Sequence, residues 1–237
     1  AIGRVMAATP EALLGAGEPD EIFATSLPGI VEDRATFLTG YQNAAYAERY
    51  NERIAAFHGQ LSDRLADPLT EIAARALFKL MAYKDEYEVA RLHTQMGFDK
   101  ELNRVFKGDF RVRYHLAPPL LPLGKDARGR PRKHAFGAWI RPGLRLLSHL
   151  RGLRGSWADP FGYTKERRMN RALIGWYENI LDQVIAHQQD AQQETLEALL
   201  RTPLEMRGYG PVWEAAMKRE KARAETLLAE IGGITPR

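Results

Sequence analysis

The chain has 237 residues, and its 34 Lys and Arg outnumber 30 Asp and Glu to give a formal net charge of +4. Hydrophobic residues make up 45% of the chain, which excludes intrinsic disorder and predicts one or two globular domains. Cysteine is absent, which excludes disulfides, thiolate zinc sites, cysteine nucleophiles and protein-ligated iron–sulfur clusters within this chain. No apolar run reaches the roughly 18 residues of a membrane span, and the N-terminus lacks the pattern of a secretory signal.

Charge is unevenly distributed along the chain. Residues 100–171 carry 18 Lys and Arg against 5 Asp and Glu, a net charge of +13, and the remainder carries −9. A basic block of this kind predicts either pairing with acidic segments of the same chain or a surface for an anionic partner.

The N-terminal region differs in composition from the rest. Residues 1–30 are rich in Ala, Gly and Pro, which predicts a linker or arm from a preceding domain, whereas residues 31–237 are predicted to form a single helical domain. The absence of Met at position 1 fits either removal of an initiator Met or excision from a longer polypeptide. From Val31 to Gly59, apolar residues recur at spacings near 3.6, which predicts a helix.

A second helix is predicted to start at Pro68, with Asp67 as its N-cap. Its apolar stripe continues to about Met96, and Gly97 is predicted to end it. A β-hairpin is predicted around residues 108–141. There, residues 110–116 alternate strictly between apolar and polar, and residues 135–140 could supply the partner strand.

The C-terminal half is predicted to be helical. Thr164 is the expected N-cap of the longest helix, roughly residues 165–201, which would span about 55 Å at 1.5 Å per residue. A short helix over 144–153 is predicted before it and an amphipathic helix over 212–231 after it. The predicted fold is therefore mainly α. It is a bundle of about five to seven helices with one long helix in the C-terminal half and a small antiparallel β-hairpin insertion.

Three charged residues of the second predicted helix continue its apolar face. Lys84 and Glu88 are four residues apart and Glu88 and Arg91 three apart, so the three side chains could contact one another in series. Because an unpaired buried charge is strongly unfavourable, the pattern indicates an ion-pair network between helices or a pocket for an anionic group. Exposure beyond the end of the core is the third alternative.

Further polar residues are predicted to belong to the same network, namely Lys79, Asp85, His115, Asp159, Tyr163 and Arg167. His115 would need a carboxylate partner to act as a catalytic base, and a surface or structural role is the alternative. The turn that contains Asp159 could serve only as a rigid entry to the long helix. The six histidines lack the spacing of metal ligands, so we predict no metal site.

The loop between the two predicted strands is strongly basic. We predict contacts with phosphate or an acidic partner at Arg111, Arg113, Arg130, Arg132 and Lys133. The loop lacks interleaved aromatic residues that would stack on bases, which argues against nucleic acid, and a solvated hairpin loop is the alternative. No phosphate-binding glycine motif or nucleophile elbow is present, so the sequence assigns no catalytic residue.

Several segments resemble a known family in their order along the chain. They are FLTGYQNAAYAERY (37–50), LFKLMAYKDEYEVAR (77–91), HLAPPL (115–120), LRGLRG (150–155), DPFGYT (159–164), ERR (166–168) and RGYGPV (207–212). Together they resemble the C-terminal region, a domain of unknown function, of fused bacterial indolepyruvate:ferredoxin oxidoreductases. The resemblance covers about residues 31–230.

The resemblance implies a cytoplasmic parent enzyme that converts an aryl 2-oxo acid and CoA to acyl-CoA and CO2. That enzyme uses thiamine diphosphate, Mg and iron–sulfur clusters, passes electrons to ferredoxin and is expected to be a homo-oligomer. Its cofactors would lie in preceding domains of the same polypeptide, which agrees with the absence of cysteine here. We therefore expect an accessory domain that is inactive alone, holds no cofactor and does not bind membranes. A basic nucleic-acid-binding or dimerisation scaffold is the alternative.

Overall fold

A computed structural model describes residues 26–94, 111–116, 124, 132 and 134–232 of the chain. Of these described residues 75% are helical, with eight α-helices and a small two-stranded antiparallel sheet, so the fold is mainly α as predicted. The count exceeds the expected five to seven because predicted helices are divided.

The described α-helices and strands follow one another in the order α1 (Leu27–Tyr41), α2 (Ala44–Gly59), α3 (Asp63–Met81), α4 (Glu86–Thr94), β1 (Tyr114–Leu116), β2 (His134–Phe136), α5 (Arg141–His149), α6 (Lys165–His187), α7 (Gln193–Arg201) and α8 (Pro211–Ile231). Short 3-10 helices cover Ala138–Ile140, Leu150–Leu153 and Thr202–Glu205.

The chain divides into two compact units. One, Lys84–Gly162, is called the insert unit, and the described residues on either side of it in sequence form the bundle unit. The predicted division into an arm and a single helical domain stays a prediction.

The first predicted helix is in fact two helices. α1 begins at Leu27, with Pro28 in its first turn, so residues assigned to the arm already belong to a helix. The helix ends at Tyr41, before Gln42. The Asn43 side chain then accepts a hydrogen bond of 2.9 Å from the backbone N–H of Tyr46. This cap starts a new helix where the periodicity alone predicts a continuous one.

The second predicted helix is wrong at both ends. α3 begins at Asp63, and Pro68 lies inside it, because the earlier start buries Leu65 and Ala66 in the core. Asp67 is therefore not an N-cap, and its carboxylate pairs with His58 at 2.9 Å. The helix ends at Met81, and α4 starts separately at Glu86.

The bundle unit is built around a continuous apolar core. Its largest fully buried side chains include several tyrosines, whose hydroxyl groups donate to backbone carbonyls. Tyr50 donates to Ala74 at 3.2 Å and Tyr177 to Leu200 at 3.0 Å. These bonds satisfy polar groups that would otherwise weaken the core.

The long helix is shorter than predicted. Thr164 is its N-cap, as predicted, and its hydroxyl accepts a bond of 3.3 Å from the N–H of Arg167. α6 ends at His187, so it spans about 34 Å rather than about 55 Å. Beyond it, the Gln188 amide donates to the carbonyl of Gln60 and accepts from the N–H of Ser62, both at 2.8 Å. Gln188 therefore bonds to the loop at Gln60–Ser62 directly after α6 ends, whereas the apolar periodicity predicts that the helix continues.

The insert unit contains the predicted hairpin in shortened form. β1 and β2 are antiparallel, with Tyr114 opposite Phe136 and His115 opposite Ala135. Tyr114 is buried and His115 exposed, in agreement with the predicted alternation. The predicted partner strand is wrong beyond Phe136, because residues 138–140 form a 3-10 helix leading into α5.

The helix caps generate a stability prediction. Replacing Asn43 or Thr164 with Ala removes a capping acceptor and should lower the free energy of unfolding by about 1 kcal/mol in each case. Ser62 stands at the N-cap position of α3 but its side chain makes no capping bond, so Ser62→Ala is the matched control. Chemical denaturation should show a change of no more than about 0.5 kcal/mol for this control. Equal losses in all three variants would contradict the assignment.

Candidate functional site: a buried polar cluster

The insert unit holds a buried cluster of polar side chains, and its centre is the ion pair between Asp85 and Arg154. The Arg154 guanidinium donates from Nε to Oδ2 of Asp85 at 2.5 Å and from Nη2 to Oδ1 at 2.8 Å. The two side chains are only 3% and 2% exposed. Asp85 also caps α4, since Oδ1 accepts a bond of 2.9 Å from the N–H of Glu88. One carboxylate therefore fixes both a helix start and a distant arginine.

Asp159 forms the second centre of the cluster. Its Oδ1 accepts from the hydroxyl of Tyr87 at 3.0 Å and from the N–H of Phe161 at 3.1 Å. Its Oδ2 accepts from the N–H of Gly155 at 2.8 Å. Three donors compensate for the burial of this carboxylate, and they hold the turn after Arg154 in place.

Tyr87 joins the two centres. Its ring lies 5.3 Å from the guanidinium carbon of Arg154, and the ring of Phe161 meets it edge-on at 5.3 Å. Burial raises the pKa of the Tyr87 phenol well above its usual range, and its hydrogen bond to Asp159 adds to the rise. The phenol therefore remains a hydrogen-bond donor far into the alkaline range.

A second ion pair lies on α4. Arg91 donates to both carboxylate oxygens of Glu88, at 2.8 and 2.7 Å, and both residues are buried. Lys84, which the sequence places on the same face, is exposed and precedes the helix. The prediction of one continuous face through Lys84, Glu88 and Arg91 is therefore wrong, because Asp85 starts a new helix between them.

We call this set of six the buried polar cluster; its members are Asp85, Tyr87, Glu88, Arg91, Arg154 and Asp159. Each carboxylate in it accepts hydrogen bonds from arginine, tyrosine or backbone donors. Asp85 and Glu88 are paired with arginines, and Asp159 accepts from neutral donors, an arrangement suited to holding the fold of the insert unit.

Three other predicted network residues belong to the bundle unit. Lys79 Nζ donates to the carbonyl of Leu204 at 2.6 Å, and the Arg167 guanidinium carbon lies 5.6 Å from the ring centre of Tyr83. Tyr163 is 65% exposed.

The structure describes three of the five residues predicted to contact an anionic partner. His115, Arg111, Arg113 and Arg132 are all exposed in the insert unit. Arg130 and Lys133 lie outside the described residues. The exposed positions suit contacts with an external partner, and they stay a prediction.

Sequence reasoning missed two members of the cluster, Tyr87 and Arg154. Tyr87 lies within the predicted apolar stripe that continues to about Met96, and Arg154 directly follows the short helix predicted over 144–153. The signal lies in two glycines. Gly155 adopts a φ of +75° beside Arg154, and a Cβ on Gly162 would lie 2.8 Å from Oδ2 of Asp159. Glycines that adopt a positive φ or leave no room for a Cβ beside a buried carboxylate indicate a turn that requires glycine.

Two open depressions lie beside the start of α8 in the bundle unit. The smaller, about 160 Å³, is lined by residues that include Lys165 and Glu214, which form an ion pair of 3.1 Å. The larger, about 560 Å³, includes Arg207, Val212 and Arg219. Neither is lined by a predicted network residue.

Within the described ranges, no three or more His, Asp or Glu side chains are grouped so that they could hold a metal ion. Nor is any helix in that part of the chain long and apolar enough to cross a membrane.

Residues 27–226 match a family of unknown function, DUF6537. The chain belongs to this family. The match covers Lys84–Gly162, and with it the whole buried polar cluster, and most of the bundle unit. Searches of curated proteins and of solved structures found no match.

The Asp85–Arg154 pair generates a stability prediction for this DUF6537 chain. Arg154→Ala leaves a buried carboxylate without its cation and should lower the free energy of unfolding by about 3 kcal/mol or more. Arg49 makes an exposed ion pair with Glu178, with 51% of its own side chain in contact with solvent, and provides the control. Arg49→Ala should change stability by less than about 1 kcal/mol. Similar losses in urea titrations of both variants would contradict the special role of the buried pair.

Stability at alkaline pH provides a test of the buried tyrosines, of which Tyr87 belongs to the buried polar cluster. The pKa values of Tyr50, Tyr87 and Tyr177 are raised by burial in the folded chain. The unfolded chain loses phenolic protons above about pH 10 while the folded chain keeps them, so stability should fall as pH rises through that region.

Tyr87→Phe removes one of these protons. It should reduce the steepness of the alkaline loss by up to about 1.4 kcal/mol per pH unit, although it lowers stability at neutral pH. Denaturant titrations between pH 8 and 12 would measure both effects. Identical slopes for wild type and variant would contradict the role of this phenol.

Proposed function

We propose that the chain is the C-terminal accessory domain of a thiamine-diphosphate-dependent 2-oxoacid:ferredoxin oxidoreductase of the indolepyruvate type. The parent enzyme converts an aryl 2-oxo acid and CoA to acyl-CoA and CO2, and two electrons pass to ferredoxin. In this proposal the preceding domains of a cytoplasmic, homo-oligomeric polypeptide hold thiamine diphosphate, Mg and the iron–sulfur clusters. The DUF6537 chain contributes to folding and assembly and does not catalyse a step itself.

One observation carries this proposal: the segments that resemble the oxidoreductase family meet in the buried polar cluster. Asp85 and Arg91 come from segment 77–91, Arg154 from segment 150–155 and Asp159 from segment 159–164. Segment 77–91 is far in sequence from the other two, yet hydrogen bonds and an ion pair join it to both. The same segments thus specify both the family resemblance and the fold of the insert unit.

The internal pairing of the cluster supports a structural role. A general acid or base must reach the proton that it transfers, and a nucleophile must reach its substrate. Tyr87 and Asp159 are 1% and 3% exposed, and their reactive atoms already bond to each other. Side chains in this state stabilise a domain and are poorly placed to meet a substrate.

The exposed basic residues offer a second contribution to the parent enzyme. Arg111, Arg113 and Arg132 lie on the surface of the insert unit, in a stretch of high positive charge. In this proposal they steer anionic groups such as CoA phosphates or acidic ferredoxin, an effect that weakens as salt rises.

The test uses the complete reading frame that encodes the chain. We expect the full polypeptide to reduce ferredoxin or methyl viologen with indolepyruvate and CoA, and the isolated 237-residue chain to show no turnover. Arg154→Ala in the full polypeptide should lower its thermal stability and yield of assembled enzyme, and leave KM for the oxo acid and CoA unchanged.

Arg49→Ala is the matched control and should alter neither assembly nor activity. A reading frame without a thiamine-binding region would refute the parentage. Turnover by the isolated chain, or a changed KM in the Arg154→Ala enzyme at normal assembly, would refute the accessory role.

A further inference from the structure

The helical stretch after the hairpin has apolar side chains on both of its faces. It runs through the 3-10 helix Ala138–Ile140, α5 and the 3-10 helix Leu150–Leu153. One face packs inside the insert unit, where Leu144 and Ser148 are buried. The opposite face carries Trp139, Leu146 and Leu150, which are 73%, 63% and 40% exposed. A helix with two apolar faces indicates that the outer one is covered by something else.

The exposed residues form a single stripe along this stretch. Trp139, Gly143, Leu146 and Leu150 stand at positions i, i+4, i+7 and i+11, which is the spacing of one helix face. We call these four residues the outer stripe. It extends about 16 Å, or three helical turns.

The outer stripe has protruding side chains and a gap between them, as helix packing requires. The Trp139 ring lies over Gly137, where a Cβ would be 3.2 Å from it, and meets the Phe136 ring at 5.9 Å. These contacts leave most of the tryptophan ring open to a partner. Around Gly143 there is open space within 4 Å of a Cβ position, which leaves a notch between Trp139 and Leu146. An exposed aromatic ring beside a notch is typical of an interface anchor.

Charge identifies the kind of partner. Residues 134–158 contain four arginines and no Asp or Glu, and one of them, Arg154, is buried against Asp85. Arg145, next to Leu146, is exposed and makes no ion pair with any residue that the structure describes. Two copies of this stripe facing each other would bring their Arg145 side chains together without a carboxylate from residues 134–158, which disfavours self-association. Residues 134–158 contain Arg and Trp but no Lys, and protein interfaces are enriched in Arg and Trp and depleted in Lys.

From these observations we propose that the outer stripe docks an acidic protein helix, which places apolar side chains against Trp139, Leu146 and Leu150 and carboxylates against Arg145. The proposal does not depend on the oxidoreductase parentage and can fail or succeed separately from it.

The test measures binding of a fluorescent 21-residue helical peptide by the full 237-residue chain, using fluorescence anisotropy. The probe carries Leu at i, i+4, i+7 and i+11 and Glu on both flanks. We expect a Kd in the micromolar range that weakens with salt. Matched peptides with Lys in place of Glu, or Ser in place of Leu, should bind at least about tenfold more weakly.

Variants of the chain locate the binding site. Leu146→Glu and Arg145→Glu should each weaken binding of the acidic peptide at least about tenfold, and Leu146→Ser should weaken it without adding charge. Val212 is an equally apolar residue, 67% exposed, in the bundle unit, so Val212→Glu is the control and should bind as wild type does. Circular dichroism should show unchanged melting temperatures for all four, since each replaced side chain is exposed.

Several results would overturn the proposal. These are no binding of the acidic peptide, equal binding of the Lys or Ser peptides, or binding that the Leu146 variants leave unchanged. Tighter binding to phosphatidylglycerol vesicles or to an oligonucleotide that Leu146→Glu abolishes would assign the stripe to a membrane or a nucleic acid. A dimer in sedimentation that Leu146→Glu dissociates would assign it to a second copy of the chain.

Discussion

The fold of the insert unit depends on the buried ion pair between Asp85 and Arg154. Two charges removed from water are tolerated only when each is matched by a partner and by further hydrogen bonds. Asp85 meets both conditions because it also caps α4, and the Arg154 guanidinium gains a cation–π contact with the Tyr87 ring. Asp159 then extends the same arrangement to the turn that closes the unit. These polar contacts join the start of α4 to Arg154, which follows the 3-10 helix Leu150–Leu153, and to the turn at Asp159.

The two units obtain their order by different means. The bundle unit has a large apolar core in which buried tyrosines donate to backbone carbonyls. The insert unit has a small core around Ala90, Tyr114 and Leu144, and the buried polar cluster supplements it. Because burial of apolar area is limited in a small unit, paired polar groups contribute a larger share of its specificity.

Both proposals assign the chain a role in assembly. The buried polar cluster would hold the insert unit in a defined shape, and the outer stripe presents Trp139 and Leu146 from consecutive helical segments. Interfaces built on rigid helices lose little entropy when a partner binds. Membership of DUF6537 assigns no activity to the chain, and both proposals give the family experiments that separate structural support from partner binding.

The sequence alone determined the helical character, the Thr164 cap, the alternation of Tyr114 and His115 and the pairing of Glu88 with Arg91, because these depend on neighbours within a few residues. It failed at Asn43, Pro68, Asp85 and Gln188, where a side chain's partner or the gain from burial decides whether a helix continues. Only the tertiary structure brought Arg154 to Asp85 and Tyr87 to Asp159, 69 and 72 positions apart. Helical periodicity carries no information about contacts at such distances, since they arise from the packing of whole elements.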